Sequence, residues 1–131
     1  MAIRVDVSVG EFLDKLSILE IKSEKIEDAA KLANVRRELQ VLRDTWAASA
    51  LAVADVREDY AELMTLNRAL WDIEDRIREH EGEGRFDAEF VRLARSVYAT
   101  NDRRAAVKKR INLRLGSELV EEKSYSAPAS R

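Results

Sequence analysis

The stretch from Glu11 to Glu81 opens EFLDKLSILEIKSEK (residues 11–25) and closes ALWDIEDRIREHE (residues 69–81). It holds neither Gly nor Pro across 71 consecutive positions. These two residues punctuate the turns of sheet proteins, so a sandwich, a barrel or a doubly wound sheet is excluded. An all-α chain of about four helices is expected. Val9, Phe12, Leu16, Leu19 and Ile26 recur at steps of three and four, with Ser23 in the one vacant place, and Ile18 and Ile21 add a second apolar face. Ser8 stands three residues before Glu11, the spacing of a capping box. Asp28 caps a second helix with the seam Leu32, Val35, Leu39, Leu42, Trp46, and the small-residue run 47–54 predicts a corner. The third helix runs from near Asp55 to Glu81. Gly82 and Gly84 make the interior turn, and a fourth helix runs from Asp87 to about Leu115, where Gly116 stops it.

Outward from that stretch, the 131 residues fit one helical domain, with 46% hydrophobic residues to build a core and 37% charged. Residues 3–9, Ile-Arg-Val-Asp-Val-Ser-Val, alternate apolar and polar, which is a strand signal. The expected partner is the segment after Gly116, in a short β-ribbon joining the termini, unless the strand pairs with a neighbouring subunit. Residues 126–131 are expected to be disordered. The absence of Cys removes a disulfide frame and a thiolate metal site. Arg4 and Asp6 interrupt any secretory signal, and no window is apolar enough to span a bilayer, so a cytoplasmic protein is expected. A net charge of −2 argues against a globally basic nucleic-acid binder.

Two helices place polar residues on core-facing lines. The third reads Val53, Val56, Tyr60, Leu63, Asn67, Leu70, Glu74, Ile77; the fourth reads Phe90, Ala94, Val97, Asn101, Arg104, Lys108, Ile111, Leu115. In an antiparallel hairpin turning at Gly84, Asn67 would face Asn101, Trp71 would lie near Val97, and Tyr60 near Lys108. Buried polar groups must be hydrogen-bonded or charge-paired. The layer is therefore either a closed structural network or a ligand site. In the second case Arg104 and Lys108 would hold an anion, Asn67, Asn101 and Glu74 would offer polar contacts, and Trp71 a flat face. Side chains lining an open cavity favour the site; a layer that bonds to itself favours structure. Charge is also sorted: residues 53–81 carry four Arg against nine acids, and residues 87–115 eight Lys or Arg against three. The two helices would complement each other, or Arg103, Lys109, Arg110 and Arg114 would form a basic strip for phosphate.

No Walker loop, G-x-G-x-x-G, H-E-x-x-H or nucleophile elbow is present. His80, beside Glu79 and Glu81, reads as a solvated residue. Glu24 and Glu27 have the spacing that helical nucleotide pyrophosphatases use for Mg²⁺, with Asp72 and Asp75 as the only candidate second pair. No metal set, catalytic residue or cofactor is otherwise assigned.

Several strings carry a resemblance: Ser8–Lys22, Lys31–Leu39, Leu66–Asp75, Ala94–Arg103 and Leu115–Tyr125. Together they resemble a family of small bacterial proteins, domain of unknown function 6165, over roughly residues 5–125. The resemblance implies a bacterial, single-domain helical protein and no established activity. Relatives beside glycosyltransferase and tetratricopeptide-repeat proteins make such proteins candidate partners. Two-sided apolar helices in so short a chain predict a homodimer. The leading functional expectation is a non-catalytic interaction or adaptor module. The alternative is a nucleotide or sugar-phosphate binder built on Asn67, Trp71, Glu74, Asn101, Arg104 and Lys108, and the weakest is a Mg²⁺-dependent nucleotide hydrolase.

Overall fold

The computed structural model describes residues 1–126. The segment expected to be disordered lies, apart from Ser126, outside the described residues. Four helices carry the chain: α1 (Val9–Lys25), α2 (Ala29–Ala48), α3 (Arg57–Glu83) and α4 (Ala88–Arg114). Three of their starts follow from local caps. Ser8 Oγ accepts the Glu11 amide at 3.0 Å, Asp28 the Lys31 amide at 2.9 Å, and Asp87 the Phe90 amide at 3.0 Å, which satisfies donors that a helix start leaves free. The corner after α2 is a single 3-10 turn, Ala50–Val53. α3 continues through Gly82, and Gly84 ends it at φ 66°, the left-handed conformation that disfavours a side chain.

α3 and α4, 27 residues each, form an antiparallel hairpin about 40 Å long at 1.5 Å per residue. The shorter α1 packs against all three other helices, while among the described elements the backbone of α2 approaches only α1 and the corner. Leu13 of α1, Leu63 and Leu66 of α3, and Val107 and Ile111 of α4 make one core. Leu16 and Leu19 of α1 with Leu39 of α2 make a second, and Tyr60 borders both. Each fully buried Leu contributes roughly 1.5–3 kcal/mol. α1 is thus the central helix, which accounts for its two apolar faces.

Three expectations are corrected. No β-ribbon forms among the described residues: residues 1–8 and 117–126 pair in no strand, and Ile3, Val5 and Val7 are exposed. The two segments still meet at their roots, through side chains. Val9 N donates to Ser117 Oγ at 3.1 Å and Ser8 Oγ to Glu121 at 3.2 Å. The core line of α4 runs Leu93, Thr100, Val107, Ile111 rather than Phe90, Ala94, Val97, Asn101, because α4 faces α1 as well as α3. Finally, His80 is buried at 5% exposure, not solvated. Its Nδ1 lies 2.9 Å from the Arg76 carbonyl and its ring 6.4 Å from that of Phe90.

Candidate functional site

Along α1 the residues Gly10, Asp14 and Ser17 follow one another at steps of four and three, and all are buried. Their spacing gives α1 a stripe of small and polar residues that is the counterpart of Arg104, Lys108 and Asn112 on α4. Gly10 permits the close approach. A Cβ there would stand 2.5 Å from the Lys108 carbonyl oxygen, and the Gly10 amide donates to Asn112 Oδ1 at 2.6 Å. Only a residue without a side chain lets the two backbones come this near.

Asp14, 2% exposed, is the centre of the layer. Asn67 Nδ2 donates to Asp14 Oδ1 and to Ser17 Oγ, each at 2.8 Å, and its Oδ1 accepts from Arg104 Nη1 at 3.2 Å. Arg104 Nε lies 3.7 Å from Asp14 Oδ1. Lys108 Nζ donates to Glu11 at 2.5 Å and lies 3.5 Å from Glu121 and 3.9 Å from Asp14. Glu11 therefore leaves the reciprocal half of its capping box for the lysine. The network joins α3 to α1, α1 to α4, and α4 to the segment after it. Its polar groups are matched to one another, as burial requires.

Of the residues the spacing singled out, Asn67, Arg104 and Lys108 enter this layer. Apart from Glu121 beside Lys108, their acidic partners come from α1 and not from across the hairpin: on α4, Asn67 meets Arg104 instead of Asn101. Trp71 and Glu74 lie outside the layer. With Asn67 and Arg104 they line a cleft of about 330 Å³, whose apolar wall is Ile18, Ile21 and Leu70. Asn101 lines a separate cleft of about 590 Å³ with Tyr98, Arg104 and Tyr125. Arg104 is the wall between them. Sequence reading missed Glu11, Asp14, Ser17 and Asn112. The stripe that begins at Gly10 was the available signal, overlooked because the seam of α1 was traced through its apolar residues.

The sorted charges of the hairpin largely find one another. Arg110 donates to Asp59 at 2.8 Å and Glu62 at 2.6 Å, Arg114 pairs with Asp59, and Arg76 donates to Glu89 at 2.7 Å. Burial opposes ionisation of Asp59, but hydrogen bonds from Arg110 and Arg114 outweigh it and hold the carboxyl below the usual carboxylate range. With Lys109 on Glu122 at 3.0 Å, three of the four residues of the supposed basic strip are engaged with acids. Glu24 is held by Arg68 at 2.8 and 3.1 Å, while α1 ends at Lys25, so Glu27 shares no helix face with it. No group of three or more His or acidic side chains is placed to hold a metal among the described residues.

The fold and the layer define a class: a helical-hairpin bundle clasped by an internal polar network. The chain belongs to a family of unknown function (DUF6165), whose model matches residues 3–131. That agrees with the resemblance of the quoted strings. No curated protein and no solved structure matches it. Among the described residues, no helix is long and apolar enough to cross a membrane.

Proposed function

We propose that this chain is a non-catalytic interaction module that works as a homo-oligomer in the bacterial cytoplasm. The observation that carries this reading is the closure of the polar layer. The side chains best suited to hold an anion or a polar ligand, Arg104, Lys108 and Asn67, already bind Asp14, Glu11 and one another. Exposed apolar side chains remain outside it, such as Val41 on α2 and Phe86, Val91 and Tyr98 on the hairpin. Surfaces of that kind are what a partner covers. Light scattering coupled to size-exclusion chromatography tests the oligomer: a dimer or larger is expected at micromolar concentration, and a monomer defeats this part of the reading.

The Trp71 cleft favours a second reading, a small-molecule site. It joins an apolar wall and an aromatic face to the cations Lys22 and Arg104 at its rim. A thermal-shift screen against nucleotides and nucleotide sugars separates the two. A ligand at 100 times its dissociation constant adds about 2.7 kcal/mol, whereas an interaction module shows no shift with any of them.

A further inference from the structure

The arm before α1 is rooted firmly and then left bare. At its root, the Ser8 side chain and the Val9 and Gly10 amides bond to Glu121, Ser117 and Asn112. Beyond the root every residue from Met1 to Val7 is exposed, with Ile3 at 90% and Val5 at 74%. Three apolar side chains at period two would form one face of a strand, and among the described residues that face has no partner. An isolated strand has no reason to keep such a pattern.

The pattern complements itself. When the segment is laid antiparallel on a second copy about a twofold axis through Val5, Ile3 faces the second Val7 and Val5 faces its own counterpart. Arg4 then faces the second Asp6, and by symmetry the ion pair occurs twice. Charge selects this register among its neighbours. A slip of two residues one way sets Arg4 against Arg4, and the other way sets Asp6 against Asp6. A parallel arrangement also brings like charges together. Opposite charges directly across a sheet pair attract and like charges destabilise it.

Exposed apolar side chains also stand at the end of the bundle where the arm is rooted. Leu113 follows Asn112, which binds the arm's root, and Leu119 gives its carbonyl to Ser117 Oγ at 2.7 Å. Arg114 donates to the Asp55 carbonyl at 3.1 Å, which brings the corner bearing Val53 to the same pole. Val53, Leu113 and Leu119 are 95%, 67% and 45% exposed. A two-stranded ribbon alone is marginal in water, and this apolar pole offers what it lacks. We infer that the chain dimerises through the antiparallel pairing of residues 3–7 with the same residues of a second copy, centred on Val5. The inference rests on the homo-oligomer reading above and names its surface.

Sedimentation velocity on the full chain, with no tag before Met1, tests it. The variants are Arg4→Asp, Asp6→Arg and the two combined, at positions remote from the helical core. Each single change places like charges opposite one another twice and is expected to raise the dimer dissociation constant about tenfold or more. The combined swap restores Asp opposite Arg and is expected to recover most of the wild-type value. A dimer that both single variants leave unchanged overturns this interface while sparing the homo-oligomer reading. Single variants that weaken the dimer without rescue by the swap overturn the Val5 register. A monomeric wild-type chain overturns both readings.

Discussion

Asn67 donates its side-chain amide to the carboxylate of Asp14 at 2.8 Å, and the bond ties α3 to α1 across 53 positions of sequence. Both groups lie in the interior, at 5% and 2% exposure. The bond therefore costs more to break than a surface contact. Asn67→Ala leaves a buried carboxylate short of a donor, and a loss of about 3 kcal/mol is expected. Urea denaturation checks it, and a loss below about 0.5 kcal/mol, the range of an ordinary surface change, would falsify the structural role given to the layer.

Two glycines separate close approach from mere flexibility. Gly10→Ala drives a Cβ into the Lys108 carbonyl, and the backbone must yield. A destabilisation of about 2 kcal/mol is expected, beyond the ~1 kcal/mol that Ala gains in a helix. Gly82→Ala meets nothing within 4 Å and is expected to stabilise by roughly 0.5–1 kcal/mol. Thermal melts of the two variants should move in opposite directions.

Asp59 makes stability depend on acid. Its carboxyl ionises below its ordinary value of 3.8 in the folded chain, so the unfolded chain binds the proton first as pH falls. The stabilisation is fully present above about pH 5 and is lost as pH drops through about 4 and below. Asp59→Asn removes it. Urea midpoints of the two proteins should differ by a constant amount between about pH 5 and 7, and the gap should narrow as pH falls below about 4. A gap that persists undiminished at about pH 3 contradicts the pairing.

His80 is buried with its Nε2 unpartnered, 3.8 Å from Asp87 Oδ1. A buried polar atom without a bond is a cost, and an apolar replacement of similar size removes it. His80→Leu is expected to be neutral or to stabilise by up to ~1 kcal/mol. A loss above about 1 kcal/mol by chemical denaturation would show that the imidazole earns its place through a contact beyond Arg76.

The helices were legible because their limits are local chemistry. Ser8, Asp28 and Asp87 each bond an amide three residues on, and Gly84 needs only its own φ. Asn67 stood out for the same reason, since an unbroken helix lets its phase be followed. Where the reading failed, the cause was non-local. The alternation of residues 3–9 expresses a preference for pairing but names no partner, and none lies within the described chain. The phase of α4 slipped because that helix serves two neighbours, and α1 claims Arg104, Lys108 and Asn112 from a side the hairpin geometry did not include. Asp14 and Glu11 escaped because a seam drawn through apolar residues passes over acids.

The clasp between the arm's root and the segment after α4 has a kinetic consequence. Ser8 and Glu121 stand 113 positions apart, so their bond closes nearly the whole chain into a loop. Closure of so long a loop is costly until the intervening helices have docked, so the bond is expected to form after the folding barrier is crossed. Interactions made that late speed unfolding when removed and leave the folding rate little changed. Loss of the clasp, as in Ser8→Ala, is therefore expected to shorten the life of the native bundle while leaving the speed of its assembly to the helical hairpin.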